Sequence, residues 1–324
     1  MSVYTRLTKE ELEQLLNDYN IGDPIDIQGI NEGITNSNFY LQTTKSKYIL
    51  TVFEDKSLNL EYSIHLMELL SNQKIPCPMP IKSKTNETIK ILRNKPVAIF
   101  SLLQGRTISK IDPSLEMCEQ IGEMIAKIHL CSDKMNDVYL GSRHLTWFEE
   151  TYKKLQDKLS NEENKMIENE IKNHIKNQLN ILPSGIIHSD LFRDNALFIE
   201  DKLTGVIDFY YACEGYFLYD LAIIVNDWCL NSDKTINIEK QKKIMQAYNK
   251  SRKITQVEKD FWPKALRHAA LRFWLSRLHD KYFPTDGELT HILDPNEFKS
   301  IFIDLSLIHI SEPTRPERIS YAVF

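Results

Sequence analysis

A fixed spacing of polar residues constrains this chain more than any other feature. His188-Ser189-Asp190 is followed, after four further residues, by Asn195, and Asp208 closes the apolar run Val206-Ile207. Apolar residues flank both acids: Ile186 and Ile187 precede the first, Leu197 and Phe198 lie between them, and Val206 and Ile207 precede the second. The pattern predicts two short strands, with a polar loop ahead of the first and an acid at the end of the second. A plain polar turn between buried strands would not require two acids and an amide at these intervals.

Such a set suits phosphoryl transfer. One carboxylate meets the attacking hydroxyl, while a side-chain amide and a second carboxylate hold Mg²⁺ on the phosphates of ATP. The residues resemble the kinase-like phosphotransferases, the clan of the aminoglycoside and choline kinases. The protein-kinase pattern His-Arg-Asp-x4-Asn with Asp-Phe-Gly stands here as His188-Ser189-Asp190…Asn195 and Asp208-Phe209-Tyr210. The resemblance implies Asp190 as catalytic base, Asn195 and Asp208 as metal ligands, and His188 and Asp220 as structural support for the loop. It implies ATP and Mg²⁺ as cofactors. The implied fold is α+β, bilobal and protein-kinase-like: an N-terminal antiparallel sheet lobe with one helix, and a larger, mainly helical C-terminal lobe.

Length and composition fit that frame. The 324 residues suggest two domains, which we place at 1–104 (nucleotide-binding) and 105–304 (catalytic and substrate). The tail 305–324, from Leu305-Ser306-Leu307-Ile308-His309, resembles an in-frame translation of a sequencing-library adapter and is expected to be non-native. Finding it encoded at the resequenced locus would sink that expectation. A net charge of -5 argues against a general nucleic-acid or anionic-membrane binder. No apolar run is long enough to span a membrane, and the N-terminus lacks a signal-peptide core. The five cysteines form no C-x-x-C pair, so a reduced, cytoplasmic location fits. The sequence leaves the oligomeric state open.

Thr8 with Glu11 ahead of Leu12, Leu15 and Leu16 reads as a capping box on a short helix. From Gln28 to Leu41, two strand-like runs flank a turn rich in Gly, Asn and Ser. Gly33, Asn36, Ser37 and Asn38 are the candidates there for a nucleotide loop whose backbone approaches phosphates. The strand Lys47 to Glu54 carries Thr51 where the clan usually has a phosphate-binding Lys, leaving Lys45, Lys47 or an Arg from elsewhere to serve the phosphates. Glu61 is the candidate helix acid, with Glu68 as its rival. The strand ending near Ser101, Leu102 and Leu103 would be the hinge against adenine, reached through the stiff stretch Ile75-Pro76-Cys77-Pro78.

After Ser114 the pattern turns helical, with Leu115, Cys118, Ile121, Ile125 and Ile128 on one face and a structural His129 at the end. Ile167, Ile171, Ile175 and Leu179 make a further helical stripe amid charges. Arg267, Arg272 and Arg277 recur every five residues on one helix. Each step turns about 140° net, so at most one or two can face a pocket.

The resemblance narrows further on Gly33-Ile34-Thr35-Asn36-Ser37-Asn38-Phe39, Asn226-Asp227-Trp228-Cys229 and Leu271-Arg272-Phe273-Trp274-Leu275-Ser276-Arg277. These segments look like the bacterial homoserine kinases of this fold, whose pattern includes the Thr at position 51. That implies ATP-dependent phosphorylation of L-homoserine to O-phospho-L-homoserine, a step in threonine biosynthesis. Arg272, then Arg277, would take the substrate carboxylate. Asp227, Asn226 or Glu214 would take the ammonium, with Tyr211 alongside. Two alternatives stay open. One is a kinase for choline, ethanolamine, methylthioribose or an aminoglycoside, with Tyr210, Tyr211, Trp228 and Trp274 as a cationic cage. The other is a nucleotide-binding pseudokinase.

Overall fold

The computed structural model describes residues 5, 7–30, 36–55, 58–142, 145–172, 181–284 and 293–311. The chain divides into two compact units, with the division between Gln104 and Gly105.

The first unit is built on an antiparallel sheet. Its strands are β1 (Pro24–Gly29), β2 (Ser37–Thr43), β3 (Lys47–Val52), β4 (Lys90–Leu92) and β5 (Lys95–Ser101), in the order β1-β2-β3-β5-β4. Alternation decides which face is dry. Phe39, Leu41, Leu50, Val52, Val97 and Ile99 share one face and pack with Leu12, Leu15 and Leu16. Those leucines belong to α1 (Lys9–Leu16), whose capping box of Thr8 and Glu11 forms as the sequence predicts. With α2 (Leu60–Asn72) the unit carries the one helix that the resemblance implies as well as the capped helix read from Thr8 and Glu11. A capped helix with three leucines on one side has an apolar stripe to bury, and the sheet face receives it.

The second unit is mainly helical. It contains α3 (Leu115–His129), α4 (Leu145–Leu155), α5 (Asn161–Glu170), α6 (Phe217–Trp228), α7 (Ile238–Ser251), α8 (Gln256–Tyr282) and α9 (Pro295–Ser311). Its strands are short: β6 (Arg106–Thr107), β7 (Ser184–Ile187), β8 (Ala196–Ile199), β9 (Lys202–Val206) and β10 (Cys213–Tyr216). β8 and β9 are the two predicted strands and pair antiparallel, with Ala196 opposite Val206, and β10 pairs with β7. Two glycines allow close approaches. Gly105, at φ +124°, would place a Cβ 2.5 Å from Thr204 Oγ1 and 3.0 Å from the Phe198 carbonyl. Gly122 lets α3 meet α7, since a Cβ there would lie 2.5 Å from the Ile244 carbonyl oxygen. α9 continues through Ser311, and its Leu305 is buried. Ile175 and Leu179 lie outside the described residues.

Burial also fixes a pH response. The His268 ring on α8 sits against Phe148 at 4.6 Å and Tyr219 at 5.2 Å, and burial pushes its pKa down to about 4. Between pH 6.5 and 4 the unfolded chain binds a proton at this residue that the folded chain does not, so stability falls as pH falls. From pH 7 to pH 5 the ceiling on that loss is about 2 kcal/mol; the ring keeps some accessible surface, so the loss stays beneath it. His268→Phe should flatten this part of the acid limb. Urea unfolding of both proteins at the two pH values checks it, and equal losses would remove His268 as the cause.

Candidate active site

The predicted loop runs from the end of β7 to the start of β8. Its entry is strained: Ser189, between His188 and Asp190, has φ +67°, and Asp208, after β9, has φ +66°. Non-glycine residues in the left-handed region cost of order 1–3 kcal/mol and persist only where the surroundings hold them. Asp220, in the first turn of α6 and fully buried, supplies that hold for the loop entry. Its carboxylate accepts from the backbone N–H of His188 at 2.6 Å and of Ser189 at 2.7 Å. It also accepts from His129 Nε2 at 3.2 Å, so His129 Nδ1 accepts from the Tyr248 hydroxyl at 2.7 Å. Burial holds the His129 pKa below its ordinary value, which keeps that ring neutral. The His188 ring donates from Nε2 to the Ile207 carbonyl at 3.0 Å, joining the loop to the residue before Asp208. Burial lowers its pKa as well.

These contacts bring Asp190, Asn195 and Asp208 together. Asn195 is buried and donates from Nδ2 to the Asp190 carbonyl at 2.8 Å, a bond that leaves its amide oxygen unused. The Ile207 N–H donates to the Asn195 carbonyl at 3.0 Å. Asp208 has its carboxyl pushed up to about 7, first by burial and then by repulsion from Asp190 and Asp194. A crowded carboxylate of this kind is relieved by a hard cation. Among the described residues no group of three or more His, Cys, Asp or Glu forms a metal cage. Mg²⁺ does not require one, because it commonly takes one or two protein oxygens together with phosphate and water.

Of the three spaced arginines on α8, one reaches the loop. Arg272 is 3% exposed and donates from Nη1 to Asp190 Oδ1 at 3.3 Å. Its guanidinium lies 3.7 Å from the Phe273 ring and 5.9 Å from that of Tyr211. Arg277, expected as a second fork for substrate, instead pairs with Glu297 on α9 at 2.7 Å and the Asp294 carbonyl at 3.0 Å. Arg267 bonds Glu170. The 140° step accounts for the split: each arginine meets a different neighbour.

Two further substrate candidates, Asn226 and Asp227, make contacts within the second unit. Asn226 is 1% exposed and donates to the Leu266 carbonyl at 2.8 Å. Asp227 accepts from three donors of Arg193: the backbone N–H at 2.8 Å, Nε at 3.2 Å and Nη2 at 3.1 Å. Asp227 is therefore engaged by Arg193 and not by a substrate ammonium, whereas the Asn226 bond uses only its Nδ2 and leaves its buried Oδ1 without a donor among the described residues. Glu214, half-buried in β10, keeps its carboxylate outside the backbone bond from its N–H to the Tyr139 carbonyl at 2.7 Å. Trp228 and Trp274 are 0% and 1% exposed, so they belong to the core and cannot line a cage for choline.

In the first unit, Gly33 lies outside the described residues. Asn36 accepts from the Glu54 N–H at 3.2 Å, and Ser37 donates to Glu54 Oε1 at 2.7 Å, so both side chains hold the strand end in place. Asn38 lies opposite Thr51 in the sheet and accepts from its hydroxyl at 2.8 Å. Lys45 donates to the Asn20 carbonyl at 2.9 Å, and Lys95 pairs with Glu54. Glu61 is exposed in the first turn of α2, where a negative charge meets the positive end of the helix dipole. Its rival Glu68 pairs with Lys82 at 3.1 Å. Ser101 ends β5 and accepts from the Met79 N–H at 2.9 Å, with Leu102 and Leu103 half-buried beyond it.

The model of the phosphotransferase enzyme family matches residues 26–248. A homoserine kinase of Methylobacillus flagellatus is 41% identical over 302 residues, covering 93% of this chain and 94% of its own. One of Neisseria meningitidis is 38% identical over 306 residues, covering 94% of this chain and all of its own. The chain belongs to the homoserine kinase family. Solved structures place this family member in the α+β, protein-kinase-like fold. An amicoumacin kinase superposes with a TM-score of 0.69 at 14% identity, covering 94% of both chains. A spectinomycin phosphotransferase gives 0.68 at 14%, covering 92% of this chain and 94% of its own. Among the described residues of this homoserine kinase family member, no helix is long and apolar enough to cross a membrane.

Sequence reasoning missed Arg193 and Asp194. Asp194 adjoins Asn195 and has its carboxyl pushed up to about 6, by burial first and then by Asp190 and Asp227. The signal for Arg193 was Asp227 itself. An acid in the last turn of an apolar helix opposes the helix dipole, so it calls for a cation nearby.

Proposed function

We propose that this chain transfers the γ-phosphoryl group of ATP to the hydroxyl of L-homoserine, giving ADP and O-phospho-L-homoserine. The observation that carries the reading is the buried guanidinium of Arg272 within 3.3 Å of the Asp190 carboxylate. An alcohol that also bears a carboxylate can dock on the Arg fork and present its hydroxyl to the base beside it.

Asp190 accepts the hydroxyl proton and aims the oxygen at the γ-phosphorus. Asn195 and Asp208 are the residues that would hold Mg²⁺. When bound, the ion offsets charge on the phosphate oxygens. Asp220 holds the strained backbone before Asp190, so the base is in place before the acceptor arrives. Tyr211 and Phe273 flank the guanidinium and restrict its orientation. Glu214 takes the ammonium. In the first unit, Asn38 serves the nucleotide phosphates, and the stretch from Ser101 to Leu103 serves the adenine edge.

ADP release from Mg·ATP tests the reading against L-homoserine, choline, ethanolamine, methylthioribose and an aminoglycoside. Turnover with homoserine alone supports it. Turnover with another alcohol keeps the kinase and discards the acceptor assignment. Mg·ATP binding without turnover on any of them would favour a pseudokinase.

A further inference from the structure

We propose that Arg193 and Asp227 form a positioning device for phosphoryl transfer, which sets the place of Asp190 and Asn195 and ties their loop to the chain segment after Gly105. The proposal rests on the phosphotransferase reading above.

One helix grips the whole loop. At its N-terminal turn, α6 holds His188 and Ser189 through Asp220. At its C-terminal end it holds the other half of the loop: Trp228 Nε1 donates to the Leu191 carbonyl at 3.3 Å, and Asp227 takes the three Arg193 donors. Asp190 and Asn195 lie between and beside these anchor points, and they are joined by the Asn195 Nδ2 bond to the Asp190 carbonyl. Moving residue 193 therefore moves both.

Arg193 also reaches the other way. Its Nη1 donates to the Ile111 carbonyl at 3.3 Å, and its own carbonyl accepts from the Ile108 N–H at 3.2 Å. Those residues follow Gly105 closely, where the second unit begins. A single side chain thus links α6, the loop and the first segment of its unit.

The pair is not an ordinary surface ion pair. The two side chains are 24% and 16% exposed, and the contact uses both carboxylate oxygens and a backbone N–H. Burial pushes the Asp227 carboxyl up, and the Arg193 charge opposes that shift while Asp227 raises the Arg193 pKa in turn. Three donors on one carboxylate favour the charged pair, and either charge left alone there would be poorly solvated. A lysine at 193 would keep charge but not the forked geometry. With both oxygens of Asp227 engaged, the chemistry fits loop positioning rather than direct contact with a substrate ammonium.

Steady-state kinetics of Asp227→Asn, Arg193→Gln, Arg193→Lys and the double variant Asp227→Asn/Arg193→Gln test this, with melting curves run alongside. A misplaced base predicts a fall in kcat of about 100-fold with KM for homoserine changed by no more than about threefold. The double variant should lose no more than either single one, and Arg193→Lys should recover part of the loss. A raised homoserine KM at unchanged kcat would overturn the proposal and make Asp227 a substrate contact. An unchanged kcat would overturn it as well. So would a loss that tracks the unfolded fraction and disappears at lower temperature. If the unsubstituted protein does not use homoserine, the acceptor assignment fails by itself. The same variants are then compared on slow transfer to water, read as ADP release without acceptor.

Discussion

Asp190→Asn should lower kcat about a thousandfold while leaving Mg·ATP affinity within a few-fold of the unsubstituted value. The substitution keeps the shape of the side chain and removes its ability to take a proton. The backbone around it stays held, because Asp220 binds the N–H groups of His188 and Ser189 and the Asn195 amide binds the carbonyl of residue 190. Arg272 can still donate to the amide oxygen, loses only the opposing charge, and keeps its packing on Phe273 at 3.7 Å. The expected signature is therefore a folded protein that binds nucleotide and turns over slowly. Coupled ADP release gives kcat, and titration calorimetry gives the affinity. Near-normal kcat would mean that another group takes the proton, and the role assigned to Asp190 would fall.

The convergence of Asp190, Asn195 and Asp208 was legible because the chemistry proposed for them would dictate their spacing. A base, an amide and a second carboxylate must converge on one reacting phosphate, and a strand-loop-strand unit can do that only at a few separations. The grouping of His188, Asp190, Asn195 and Asp208 could thus be read from the chain, as could the two short strands between Asn195 and Asp208. The caps were legible for a similar reason, since the bonds in a capping box are local.

The substrate side was less legible because it depends on which way helical side chains point. Three arginines at five-residue steps look alike in the sequence. Their partners, Glu170, Asp190 and Glu297, come from three different parts of the chain. Asn226-Asp227-Trp228 looked like a polar and aromatic pocket wall, but packing turns Asn226 to the Leu266 carbonyl, Asp227 to Arg193 and Trp228 to the Leu191 carbonyl. In the first unit, the turn before β2 was read for its backbone, and the pattern gave no sign that the side chains of Asn36 and Ser37 meet Glu54. Thr51 lies on the strand where the sequence put it, but its partner, Asn38, depends on strand register, which a period-two pattern does not fix by itself.

Arg272 is the test of substrate identity. Arg272→Ala should raise KM for homoserine about 100-fold, as expected for losing a charge-assisted contact worth up to about 3 kcal/mol, with ATP affinity within a few-fold of normal. Arg272→Lys keeps the charge but loses the planar fork and the stacking on Phe273, so it should recover only part of the affinity. Arg267→Ala and Arg277→Ala serve as controls on the same helix. Their partners are Glu170 and Glu297, so they should lower the melting temperature and leave homoserine KM nearly unchanged. The kinetic split matters because Arg272 also touches Asp190. If kcat collapses while homoserine KM stays put, the guanidinium acts on the base, and the substrate carboxylate must be held by another residue. If homoserine KM rises while most of kcat survives at saturation, Arg272 holds the substrate carboxylate. Acceptors lacking that carboxylate, such as choline and ethanolamine, would then have nothing to pair with the buried charge, and the enzyme's discrimination against them follows from that one side chain.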